Sequence, residues 1–148
     1  MKPTNPVFSR KGTAAIEFAF VLPLFLLLLS GIIEVGFSAY NAMLVANSVE
    51  AGAIYAAKNG WNASGITAAV ANATGVSGIS ASPAPASFCG CPGSGGITTI
   101  TCTSTCTGGI SPGQYIRISA TMTRQTIFSY SGLVVPATFT SQSIVRVK

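Results

Sequence analysis

The chain has 148 residues, enough for one small domain with a modest core, and 49% of them are hydrophobic against only 7% charged. The formal net charge is +5, but Lys2, Arg10 and Lys11 all precede the first apolar run, and without them the balance is 5 − 3 = +2. No basic stripe with interleaved aromatics is present, which argues against nucleic acid as a partner, and the lack of any His or Asp removes most catalytic and metal-binding schemes.

Residues 1–12, MKPTNPVFSRKG, carry two prolines and three basic residues and show no periodicity. They read as a leader outside any fold. From Thr13 the pattern turns helical. Sixteen uncharged residues separate Glu17 from Glu34. At 1.5 Å per residue they cover roughly 24 Å, short of the ~30 Å hydrocarbon thickness of a bilayer. Extending the span back to Thr13 makes it long enough but places Glu17 inside it, and a lone carboxylate in lipid is costly. Pro23 interrupts the run; it removes a backbone hydrogen bond and favours a kink, although membrane helices tolerate it.

The helical pattern continues past the far membrane face. Residues 37–60, rich in Ala, with Met and Leu among them, predict that the helix runs on to Lys58 and stops at Asn59-Gly60. Phe37, Tyr40, Leu44, Ala51, Ile54, Tyr55 and Lys58 suggest one stripe along it. Residues 61–74 predict a second short helix, with Ser64 as its cap. Asn62 and Asn72 match the N-glycosylation pattern, but in a chain this rich in Asn, Ser and Thr they read as coincidence.

Residues 75–114 hold nine of the sixteen glycines and all four cysteines, and no charged residue occurs from 59 to 116. This stretch is expected to be a long loop, with a third strand at residues 98–103. Cys89, Cys91, Cys102 and Cys106 form an even, clustered set behind a membrane-targeting segment, which reads as two disulfides. A bridge between Cys89 and Cys91 would be strained, so each should pair with Cys102 or Cys106. The rival, a four-thiolate zinc site, matches the paired C-x2-C pattern poorly.

Residues 115–128 alternate, with Ile116, Ile118, Ala120 and Met122 on one face and Arg117, Ser119, Thr121 and Thr123 on the other. Residues 137–147 alternate again. Two strands are marginal alone, so one face needs a cover, and the long helix is the obvious one. Phe128, Tyr130, Leu133, Val134, Val135 and Phe139 read as sheet core, the alternative being a surface for a partner subunit. The fold class expected is therefore α+β. A long helix, spanning a membrane and continuing as a stem, packs on a small antiparallel sheet with a disulfide-pinned loop.

Chemistry is poorly served. The three acids, Glu17, Glu34 and Glu50, lie on one helix but share no face, since 17 and 16 residues rotate by about 260° and 160°. Paired-carboxylate hydrolysis and Ser-His-Asp catalysis lack their parts. A Ser-Lys scheme lacks its S-x-x-K, and only a C-x-C redox carrier is conceivable. No catalytic residue, cofactor, metal or small-molecule substrate is expected.

The stretch KGTAAIEFAFVLPLFLLLLSGIIEVG resembles the N-terminus of the TadE-like family, the minor pilins or pseudopilins of the Tad (Flp) type IV pilus. Gly12 follows basic residues, as does the residue before a prepilin-peptidase cut. Glu17 and Phe18 would then be fifth and sixth in a chain starting at Thr13, Pro23 matches the family's proline, and GIIEVG resembles its next block. The resemblance covers about fifty residues, and the C-terminal half matches only in layout. It implies a pilin-like fold divided into a leader (1–12), a transmembrane and assembly helix (13–36) and a periplasmic or extracellular domain (37–148). It further implies cleavage after Gly12 by a prepilin peptidase, a cytoplasmic N-terminus held by Lys2, Arg10 and Lys11, and a domain in the periplasm where the cysteines oxidise. Residence in a bacterial inner membrane would give way to packing with other pilus subunits at the assembly platform, and to surface adherence. Glu17 would pair with the freed amine of Thr13 on a neighbouring subunit. Two readings compete: a signal peptide cut near Ser38 or Ala39 that releases a secreted protein, and a permanent single-span anchor carrying a periplasmic binding domain.

Overall fold

A computed structural model describes residues 11–124 and 136–147. One helix, α1 (Lys11–Asn59), dominates it with 49 residues, a length of about 74 Å. It ends as the sequence suggests. Lys58 lies in the last turn, and Gly60, at φ +73°, turns the chain away while its N–H bonds to the Ala56 carbonyl. Pro23 sits inside the helix without ending it.

The second helix, α2 (Ala63–Asn72), is capped by Asn62 rather than by the expected Ser64. The Asn62 carboxamide oxygen accepts from the Gly65 N–H and also from the Ser64 hydroxyl. Asn and Ser cap about equally well, so position decides: Asn62 stands directly before the helix and its oxygen reaches the third N–H, while Ser64, inside the first turn, is a second donor to the same atom.

Five strands follow: β1 (Ile79–Ser80), β2 (Ala86–Gly93), β3 (Gly96–Ile100), β4 (Gly113–Thr123) and β5 (Thr138–Arg146). All pairings are antiparallel. β4 is the spine: β5 lies along one side, and β1 and β2 share the other, with β3 beyond β2. The expected long loop at 75–114 therefore contains three strands and the start of a fourth. The error has a physical cause. β2 reads ASFCGCPG, a composition that looks like a turn, yet a Cβ on Gly90 would lie 2.5 Å from Ile97 Cγ2 and 3.0 Å from the Thr98 carbonyl oxygen. Glycine is there because two strands approach closely, and that is a strand's reason for it. Pro92 is tolerated because the β2–β4 ladder ends at Gly90. The expected strand at 98–103 overlaps β3, which starts earlier, at Gly96, and stops at Ile100.

The disulfides are Cys89–Cys102 and Cys91–Cys106. Cys89 and Cys91 are two apart on β2 and so share a face, which lets both bridges hold the segment after β3 over the sheet. All four thiols are bonded, which removes the zinc alternative.

The core lies between α1, α2 and the inner face of the sheet. Ile116, Ile118, Ala120 and Met122 of β4 are all buried, as the alternation predicts, and meet Val45, Val49 and Ala56 of α1, Ile66 and Val70 of α2, and Phe139 of β5. On the opposite face Phe88 stacks on Tyr115 at 5.7 Å between centroids, with the Arg117 guanidinium 5.1 Å above the Phe88 ring. Phe139 thus belongs to the core, while Phe128, Tyr130, Leu133, Val134 and Val135 lie outside the described residues.

Candidate functional site

The buried stripe of α1 differs from the expected one. Phe37, Tyr40 and Ile54 are about half exposed, and Lys58 is exposed; the residues that face the sheet are Glu34, Asn41, Leu44, Val45, Ser48, Val49, Gly52 and Ala56. Steric room explains the inversion. A Cβ on Gly52 would come within 2.6 Å of Val70 Cγ2 and 3.1 Å of Ile118 Cγ2, so at this point the helix approaches the head too closely for any larger side chain. The Ser48 hydroxyl, buried in this seam, bonds back to the Leu44 carbonyl and so costs little.

Below Glu34 the helix is bare. From Ile16 to Ile33 every large apolar side chain is exposed, among them Phe18, Phe20, Leu24 and Leu28. A Cβ added at Gly12, Gly31 or Gly36 would meet nothing within 4 Å. The residues from Ala14 onward are long and apolar enough to cross a membrane. Glu17 and Pro23 are exposed on this stretch, and Gly12 and Thr13 lie in the first turn. Lys11 begins the helix, while Lys2 and Arg10 are outside the described residues.

Between the bare and the gripped parts stands Glu34. It is fully buried, and its Oε1 lies 2.5 Å from Arg124 Nη2. Arg124 follows β4 directly, and its N–H donates to the Ala137 carbonyl, which extends the β4–β5 ladder by one step. The side chain is therefore delivered to Glu34 by a rigid strand end and is itself only 11% exposed. Contact is through one oxygen; Glu34 Oε2 and Arg124 Nε have no partner among the described residues. The sequence reading places Glu34 at the end of the apolar run and among three acids that share no face, and does not name its partner 90 residues away. The available signal was chemical. A carboxylate at the rim of an apolar helix needs a cation, and Arg124 ends an alternating strand whose inner face was already assigned to that helix.

Residues 12–53 match the family model described as TadE-like protein. This stretch, under a third of the chain, is similar to the TadE-like family. It takes in the whole bare half of α1, Glu34, and the gripped half up to one residue past Gly52. The sheet and both disulfides lie outside the match. No curated protein and no solved structure matches the chain. The matched segment thus joins two arrangements on one helix: an apolar surface with no cover, and a close-packed seam that starts at a buried ion pair. Among the described residues no group of three or more His, Cys, Asp or Glu comes together that could hold a metal ion.

Proposed function

We propose that this protein is a structural minor pilin or pseudopilin of a Tad (Flp) type IV pilus, with no catalytic role of its own. The carrying observation is the division of the TadE-like helix, apolar and bare from 14 to 33 yet joined to a folded head from Glu34 onward. Such a helix suits two environments in turn. In the inner membrane lipid covers it; in a filament the same surface packs on neighbouring copies, and no refolding is needed between the two. The basic residues Lys2, Arg10 and Lys11 favour a cytoplasmic N-terminus and a periplasmic head, and two disulfides suit an oxidising compartment.

In this reading a prepilin peptidase cuts after Gly12. The new amine of Thr13 then lies about one helical turn from Glu17. Glu17 is exposed in the monomer, so its charge is open to a neighbour, whereas Glu34 is already neutralised internally. A carboxylate–amine pair between subunits would reward the correct stagger, since a buried charge without its partner costs several kcal/mol. The signal-peptide reading is disfavoured by the ion pair. A cut near Ser38 or Ala39 would discard Glu34 and leave the nearly buried Arg124 without a carboxylate.

N-terminal mass spectrometry of the mature protein tests the assignment: Thr13 is expected as the first residue, and a start near Tyr40 or an unprocessed N-terminus would refute it. Gly12→Leu should abolish processing. The protein should be found in sheared pili, and Glu17→Ala should reduce piliation while leaving the head folded. Piliation at the wild-type level in that variant would remove Glu17 from the assembly mechanism.

A further inference from the structure

The junction between span and head carries features that assembly alone does not require. From Ala14 to Glu34 the helix has 21 residues, a rise of about 32 Å, which is the thickness of a hydrocarbon core. Directly above, Phe37 is 47% exposed and Tyr40 is 51% exposed. They stand roughly 4.5 and 9 Å beyond Glu34 along the axis. That range is the headgroup layer, where amphipathic aromatic rings are favoured. An apolar groove of about 400 Å³, lined by Ile33, Gly36, Phe37 and Tyr40, opens here. It shares Gly36 with a second groove of about 590 Å³ that reaches down to Leu27. One open apolar strip of the helix surface therefore runs from the span across the exit, with a phenol at its upper end, a surface on which an acyl chain can lie with its headgroup above.

We propose that this junction is a seat on the membrane surface, with Phe37 and Tyr40 in the phospholipid headgroup layer and the Glu34–Arg124 pair as the stop that fixes how deep α1 sits. The proposal rests on the membrane-spanning reading of the helix. The stop works because the pair is formed by one residue of the helix and one of the head. The Arg124 side chain, still 11% exposed, keeps its contact with water only while the junction stays outside the hydrocarbon, and because Arg124 belongs to the sheet, the helix cannot slide without carrying the head with it.

The test uses the full chain with its single tryptophan removed (Trp61→Phe) and tryptophan placed in turn at Leu24, Phe37 and Tyr40. The chains are reconstituted in phosphatidylethanolamine–phosphatidylglycerol vesicles containing lipids brominated at defined depths, with iodide as the aqueous quencher. Deep bromines should quench position 24. Shallow bromines should quench 37 and 40, with 40 about 4.5 Å nearer the surface. If 24 reads deep but 37 and 40 are quenched by iodide alone, the seat is overturned while the span stands. If 37 and 40 are shielded from both quenchers, another copy occupies the groove and the seat is again overturned. If 24 is not quenched by any lipid, the spanning reading itself fails. The stop is tested with Glu34→Leu and Arg124→Leu together, an apolar replacement that buried ion pairs commonly tolerate. Positions 37 and 40 should then read deeper by up to a helical turn, about 5.4 Å. An unchanged depth in a folded double variant would show that the pair packs the head but sets no depth.

Discussion

The two halves of α1 are made alike and used differently. The lower half carries Phe18, Phe20, Phe25 and a run of leucines, and buries none of them. The upper half buries Glu34, Asn41, Ser48, Gly52 and Ala56, and leaves Phe37, Tyr40, Met43 and Ile54 exposed. Within this chain, burial on the upper helix follows steric fit to the sheet as well as hydropathy, since Leu44, Val45 and Val49 share the seam with Ser48 and Gly52. A helix pressed against a sheet gains most where backbones approach closely, and small residues permit that. A helix meant for lipid or for other subunits keeps its large side chains outward. The contrast separates the residues that hold the head from those that meet a changing environment.

That separation can be broken most sharply at the ion pair. Arg124→Ala should destabilise the head by about 3–5 kcal/mol, because it strands Glu34 as a buried charge, while Glu17→Ala should leave thermal unfolding unchanged. Circular dichroism melts of the two variants in the same detergent check this; equal effects would erase the distinction between the two acids. Next in size are the disulfides. Replacing Cys91 and Cys106 together by Ser should cost about 2–4 kcal/mol. The loss should fall on the head alone, so insertion of the lower half, read by protease protection in membranes, should not change.

The sequence made these roles legible to different degrees. The extent of α1, the face of β4 that packs inward and the partition of the cysteines follow from period, cap and spacing, all local properties. The TadE-like resemblance was carried by Gly12, Glu17, Phe18 and Pro23, and the family match covers the same stretch. Three features escaped. The stripe of α1 was misassigned because Ser48 and Gly52 carry no hydrophobic signal, and their burial depends on Val70 and Ile118, which are distant in sequence. β2 was hidden by glycines whose purpose is the close approach of β3 at Ile97. The Glu34–Arg124 pair spans 90 residues, and only the register of β4 brings the arginine to the helix.

Gly52 sharpens the comparison within the gripped half. Gly52→Ala places a methyl 2.6 Å from Val70 and should destabilise the head by about 1–3 kcal/mol, although alanine is the better helix former. The same change at Gly36, where nothing lies within 4 Å, should stabilise the helix by up to about 1 kcal/mol. Opposite signs for one substitution, 16 residues apart on one helix, are a stringent outcome for melts of the two variants. A shared sign would mean that helix propensity, and not contact with the head, governs both positions.

The smallest effect on stability is expected in the bare half, and it is the most informative. Leu24→Ala and Leu28→Ala remove large side chains that touch no part of the head, so the melting of the head should move by less than about 0.5 kcal/mol. A buried leucine truncated in the same way would cost about 2–5 kcal/mol. The loss should emerge only when the surface acquires neighbours, as lower recovery of the variant in sheared pili. A variant that melts like wild type yet assembles poorly would locate the contribution of these leucines between molecules. A variant that melts early would mean that the head leans on the lower helix after all, and that the division at Glu34 is drawn in the wrong place.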